Sequence, residues 1–234
     1  MTGRTAVIFG ATGGIGSAIA DSLEADSRFD HIIRFSRADN SPVTVDLTSE
    51  ASIRDAADWL QDHGLSPSLV FVATGLLHDE IKGPEKSLRH LDADWLMKNY
   101  QVNAIGPAMV AKYFLPLMDR KDILRFAALS ARVGSISDNR LGGWYGYRAS
   151  KAALNMMIRN LSIEWSRKND KSIIVALHPG TVDTRLSVPF QGNVAPEKLF
   201  DSGRAARQLL AVLDALKPAD SGKIFAWDGT EIQP

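Results

Sequence analysis

The sequence predicts a doubly wound α/β fold, with about seven parallel strands in a central sheet and helices on both faces. Three observations carry that prediction. Short β-rich runs alternate with longer helical stretches along the chain, the pattern of right-handed β-α-β crossovers. Several runs are apolar nearly throughout, among them Ala6-Val7-Ile8-Phe9 and Leu69-Val70-Phe71-Val72, as parallel strands covered on both faces are. A glycine cluster, Gly10 to Gly16, joins the first run to the first helical stretch.

Taken in order, strands are expected at Thr5–Phe9, His31–Ser36, Val43–Val45, Leu69–Ala73, Ile123–Leu129, Ser172–His178 and Lys223–Trp227. Helices are expected at Ile15–Ala25, Ser49–Asp62, Asp92–Met118, Tyr147–Arg167 and Asp201–Leu216. The Asp92–Met118 stretch is apolar over much of its surface (Leu96, Val102, Val110, Phe114, Leu117), which suits sheet packing. Two irregular stretches, Gly134–Gly146 and Gly180–Pro196, follow strands and are long enough to be functional loops. Ligands of open α/β sheets sit beyond strand C-termini, so both are expected to wall one site, with Gly134–Gly146 and Thr184–Pro196 forming the substrate pocket.

The chain has 234 residues, a length that fits one domain spanning 1–234. Lys+Arg and Asp+Glu are 27 each, so no basic footprint marks a nucleic-acid or membrane partner. Cys is 0, which excludes disulfide scaffolds, Cys-ligated metal and thiol chemistry. The histidines His31, His63, His78, His90 and His178 lack metal-ligand spacing, so structural roles are expected for them and no metal. No apolar run approaches the ~18 residues of a membrane helix, and no signal peptide precedes the first strand, so a cytoplasmic protein is expected.

The glycine cluster reads Gly-x-x-x-Gly-x-Gly. Its glycines allow a tight turn and close approach of a pyrophosphate to helix N-terminal amides, which makes Gly10, Thr12, Gly14, Ile15 and Gly16 candidate cofactor contacts. The second strand ends Arg34-Phe35-Ser36-Arg37, with no acid at its tip. An acid there would favour a free ribose 2′-hydroxyl; Arg37 suits a 2′-phosphate and Ser36 can donate to it, so NADP(H) is expected in preference to NAD(H). Downstream, Tyr147 and Lys151 are i and i+4 and share one helical face. A nearby ammonium favours phenolate, which brings a tyrosine closer to exchanging a proton with a carbonyl or alcohol. Trp144, three residues before Tyr147, either lines a pocket or packs the loop.

With these elements together, the chain resembles the short-chain dehydrogenase/reductase family and its single-domain, Rossmann-type architecture. The stretch from Gly142 to Asn155 is most similar to the C-factor/sniffer-type carbonyl reductase subgroup. The resemblance implies hydride transfer between a nicotinamide and a carbonyl or secondary alcohol. It implies Tyr147 as general acid, Lys151 tuning it and bonding the nicotinamide ribose, and Asn103 holding a water in a proton relay. It also implies cofactor contacts from Asp46 and Leu47 after the third strand, and from Ala73, Thr74 and Gly75 after the fourth. Pro179, Gly180, Val182 and Thr184 would supply contacts in the turn after the sixth strand. A homodimer or homotetramer acting on a small molecule is implied as well.

Two positions depart from the family pattern. Val72-Ala73-Thr74-Gly75 stands where Asn-Asn-Ala-Gly is usual, and Ser130-Ala131-Arg132-Val133-Gly134 puts Ala131 where the second, carbonyl-polarising serine is common. Ser130, taken as the fourth catalytic candidate, or Ser135 would substitute; otherwise that donor is missing. The rival reading is a nucleotide-binding regulatory or signalling protein of the same fold with little turnover.

Overall fold

The structure is a computed structural model and describes residues 3–118, 123–193 and 195–234; Val194 of the second loop lies outside them. The described strands are β1 (Thr5–Phe9), β2 (His31–Phe35), β3 (Pro67–Val72), β4 (Arg125–Leu129), β5 (Ile173–His178), β6 (Thr181–Val182), β7 (Leu199–Phe200) and β8 (Ile224–Ala226). The α-helices are α1 (Gly14–Glu24), α2 (Glu50–Asp62), α3 (Ala93–Tyr100), α4 (Gly106–Phe114), α5 (Tyr145–Ser166) and α6 (Ser202–Ala215).

Six strands form the main sheet in the order β2-β1-β3-β4-β5-β8, and every pairing is parallel. Successive strand residues point to opposite faces, and the sequence uses this to build two cores. Val7, Phe9, Val70, Val72 and Phe126 face one layer, packed against Ile53, Val110, Phe114 and Leu154 of α2, α4 and α5. Ala6, Ile8, Phe71, Ala127 and Val175 face the other, against Ile19, Leu23, Leu209 and Leu213 of α1 and α6. Covering both faces is why these strands are apolar throughout rather than alternating. The chain winds outward from β1 in both directions, so the switch point falls between β1 and β3.

The expected strand at Val43–Val45 is corrected to a single bridge, Ser36 with Thr44. Side-chain hydroxyls intercept its ladder: Ser36 N–H donates to Ser41 Oγ at 3.2 Å, and Ser41 Oγ donates to the Val43 carbonyl. A two-stranded sheet of β6 and β7 was not expected, because two-residue strands carry no pattern. The single helix expected over Asp92–Met118 is α3, a π-helical turn at Gln101–Ile105, α4 and a last 3₁₀ turn at Leu115–Leu117. Such π turns concentrate at functional positions, and this one carries Asn103.

Ser49, Asp92 and Asp201 cap α2, α3 and α6 by accepting from the N–H groups of Ser52, Trp95 and Arg204. The first turn of α1 has neither a side-chain cap nor an acid. Among the described residues no helix is long and apolar enough to cross a membrane.

Candidate active site

A cleft of about 440 Å³ opens beyond the C-terminal ends of β4 and β5. It is lined by Ile15 from the glycine turn, Tyr147 from α5, and Val182 and Thr184 after β5, so three motifs far apart in sequence converge on one cavity. Both expected loops contribute, with Asp138, Arg140, Leu141 and Trp144 from one and Leu186 and Phe190 from the other, and Arg132 lines the cleft from just before the first loop.

Tyr147 and Lys151 are 9% and 2% exposed. The Lys151 ammonium lies 5.7 Å from the centre of the Tyr147 ring and donates to the Leu129 carbonyl at 2.8 Å. Burial pushes the Tyr147 phenol up to about 12, opposite to the direction expected from a cationic neighbour. The same desolvation pushes Lys151 down to about 7, so near neutrality much of its population carries no charge to favour phenolate. Asn103 is fully buried: its amide donates to Leu76 O at 2.8 Å and Ser150 Oγ at 3.0 Å, and its oxygen accepts from Leu76 N–H. The π turn aims Asn103 at the chain segment following β3.

The start of α5 is held from a distance. Gly142, Gly143 and Trp144 all have positive φ, and Trp144 (φ 51°) is the one non-glycine residue among those described to do so. Trp144 has no capping bond of its own; Glu85, 3% exposed, supplies the cap, its carboxylate accepting from Gly146 N–H and its carbonyl from Trp144 N–H. The Trp144 ring then packs edge-on against Tyr147 and Phe190, at 6.3 and 5.0 Å between centres. The indole both lines the cleft and packs the loop.

The glycine turn follows β1 directly. Gly10 has φ +77° and donates to Phe35 O at 3.0 Å; a Cβ on Gly16 would lie 2.2 Å from Gly10 O, so the turn admits no side chain there. Thr12 and Gly14 are exposed beside it. At the tip of β2, Arg34 is bound to Asp21 and Glu24, whereas Arg37 is exposed with no partner among the described residues. The Ser36 hydroxyl accepts from Ala38 N–H. Asp46 accepts from Thr48, while Leu47 is buried. Ala73, Thr74 and Gly75 leave β3 next to Gly10, and the Thr74 hydroxyl is buried without a partner. Pro179 and Gly180 also line the cleft, and Ser187 ties Val182 to Thr184 by hydrogen bonds to both.

The serine question has a geometric answer. The Ser130 hydroxyl donates to Asn155 Oδ1 at 2.7 Å, and Ser135 Oγ shares a 3.3 Å contact with Ser137 while accepting from Asp138 N–H. Ala131 packs with Leu77 and Tyr147 in an apolar cluster. Ser130 commits its proton to Asn155, and Ser135 is not among the residues that line the cleft. His178 was expected to be a satisfied structural histidine, but it lines the cleft and its Nδ1 is buried without a partner. Burial, with Arg132 nearby, pushes it down to about 4, so it is neutral near pH 7.

Sequence reasoning passed over Glu85, Ser150 and Phe190. No local pattern marks Glu85 or Phe190, which reach the site only through folding. Ser150 was within reach, since it stands three positions after Tyr147 on the same helical side; its hydroxyl donates to Tyr147 O and accepts from Asn103.

Fold and cleft together define a doubly wound α/β protein with a glycine turn after its first strand and a buried Tyr-Lys pair whose tyrosine lines the cleft. The short chain dehydrogenase family matches residues 4–193, and the chain belongs to this family of oxidoreductases. It is 31% identical over 242 residues to 1-hydroxy-2-glutathionyl-2-methyl-3-butene dehydrogenase of Rhodococcus sp. (strain AD45), covering 98% of this chain and 99% of the relative. It is 36% identical over 143 residues to C-signal of Myxococcus xanthus, covering 60% and 81%. Among solved structures it is similar to NADPH-bound carbonyl reductase from chicken fatty liver (TM-score 0.86, 24% identity, both chains fully covered). Carbonyl reductase Sniffer of D. melanogaster is similar to the same degree (TM-score 0.86, 21% identity, both fully covered).

Proposed function

We propose that residues 1–234 form one NADP(H)-binding domain that reduces a small-molecule carbonyl, or oxidises the matching secondary alcohol. The observation that carries this reading is the convergence of Ile15, Tyr147 and Thr184 on one cleft. The residues fit the cofactor: the glycine turn leaves a cradle no Cβ could share, the first turn of α1 is uncapped, and the Thr74 hydroxyl lacks a partner. Gly10, Thr12, Gly14, Ile15 and Gly16 would hold its pyrophosphate, Asp46 and Leu47 its adenine, and Ala73, Thr74 and Gly75 the chain between. Pro179, Gly180, Val182 and Thr184 would hold its nicotinamide end. The unpaired guanidinium of Arg37, with Ser36 beside it, supports a 2′-phosphate and hence NADP(H) over NAD(H).

When bound, the nicotinamide supplies or accepts the hydride at the carbonyl carbon. Tyr147 delivers the proton to the oxygen; burial keeps the phenol protonated and ready to donate. Lys151 binds the ribose and, once charged, draws the phenol down. Asn103 supports proton resupply from the buried side. The exposed apolar side chains Met97, Met156 and Ile163 support a homo-oligomer.

The serine geometry favours a second reading, a nucleotide-binding signalling protein with little turnover, and one relative is named C-signal. One experiment separates them. NADPH and NADH are titrated by nicotinamide fluorescence, then aldehydes, ketones and quinones are screened for NADPH oxidation with wild type and Tyr147→Phe. Micromolar NADPH binding, weaker NADH binding and turnover that falls at least about 100-fold in Tyr147→Phe are expected. Tight NADPH binding without turnover of any carbonyl favours the second reading, and binding of neither nucleotide defeats both.

A further inference from the structure

The substrate side of the cleft carries an imbalance of charge that the chain as a whole lacks. Arg132, Arg140 and Arg148 line it against one acid, Asp138, in a protein of zero formal net charge. Arg132 lies 3.7 Å from Asp138. Its charge also reaches the cleft wall, where it helps hold His178 neutral. Arg148 is half-buried and donates from Nε to Gly143 O at 3.1 Å and from Nη1 to Val133 O at 3.3 Å. Arg140 is exposed, and neither it nor Arg148 pairs with a carboxylate among the described residues.

Next to these cations the wall is apolar, with Leu77, Val133, Trp144, Leu186 and Phe190 around Tyr147. A partly desolvated guanidinium bound only to neutral carbonyls keeps its charge unanswered, and desolvation pulls Arg148 below its ordinary value. An anion is the group that answers it, and Arg presents a planar fork suited to carboxylate.

We propose that the cleft selects carbonyl substrates with an apolar body and a carboxylate, the carboxylate held by Arg140 and Arg148 while the carbonyl meets Tyr147. This inference rests on the reductase reading above. The carboxylate is a spectator: the hydride goes to the carbonyl carbon, the Tyr147 proton to its oxygen, and the acid leaves unchanged.

The test compares 4-carboxybenzaldehyde with its neutral methyl ester at saturating NADPH, followed by NADPH oxidation. The carboxylate is expected to exceed the ester in kcat/KM by about tenfold at low salt, mainly through KM, and this ratio should shrink in 0.5 M salt. Arg140→Glu should lower the ratio at least about fivefold, because it turns a cation into a repelling charge. Binding of both compounds to the NADP⁺-saturated protein, read by tryptophan emission, reports the same preference without turnover. Equal kcat/KM for acid and ester, or equal binding, overturns the inference while leaving the reductase reading intact. Carboxylate-selective binding with no NADPH oxidation supports the subsite and counts against the reductase reading instead.

Discussion

Lys151 is the most consequential buried charge in the structure, and replacing it with methionine tests that directly. The side chain is 2% exposed, its ammonium has one recorded hydrogen bond, to Leu129 O, and burial takes it from 10.5 to about 7. The folded form therefore sheds a proton that the unfolded chain keeps, so stability rises as pH climbs from about 7 toward 10.5. At ~1.4 kcal/mol per tenfold, holding this group costs the fold about 4 kcal/mol at pH 7 and about 2 kcal/mol at pH 9. Methionine is unbranched and of similar length, so it fills the same channel, losing only the Leu129 bond at about 1 kcal/mol. In urea titrations without nucleotide, wild type should gain about 2 kcal/mol from pH 7 to 9. Lys151→Met should lose that slope and exceed wild type by about 3 kcal/mol at pH 7. On the function proposed above it should also lose NADPH-dependent turnover, read in the same aldehyde and ketone screen. A wild type that is flat between pH 7 and 9, or a methionine variant that keeps the slope, would refute the reasoning.

Three further outcomes follow from the same geometry. Gly16→Ala forces a methyl to within 2.2 Å of Gly10 O, so it should destabilise by about 1–3 kcal/mol or more and abolish NADPH binding in a fluorescence titration. His178, held down to about 4, is neutral in the fold while the unfolded chain protonates at 6.5. Stability should therefore fall by about 3 kcal/mol between pH 7 and pH 4, and His178→Gln should remove that share in an acid-unfolding series. Ala131→Ser puts a hydroxyl among Leu77 and Tyr147, where neither Ser130 nor Ser135 delivers one. Steady-state kinetics should show kcat rising toward the ~10²–10³ that one oxyanion donor contributes.

Sequence reading succeeded where a feature is local. The apolar runs of β1, β3 and β4 had to be strands covered on both faces, and alternate residues divided between two helical layers as that requires. The glycine turn was legible because a Cβ at Gly16 is sterically impossible in it, and Tyr147 and Lys151 were legible because i,i+4 residues share a helical face. The Val43–Val45 strand failed because the hydroxyls of Ser36 and Ser41 compete for the ladder, which hydrophobicity does not register.

By itself, then, the chain determined the alternation of elements, the parallel sheet, the glycine turn and the Tyr-Lys pair, since each follows from residues within a few positions of one another. Tertiary structure alone decided what surrounds them. Glu85 caps α5 from 61 positions away, Ser130 spends its proton on Asn155, and Arg140 and Arg148 reach the cleft with no carboxylate partner among the described residues. The direction of the Tyr147 shift belongs there too: desolvation depends on everything packed around a group, and no spacing in a sequence encodes it.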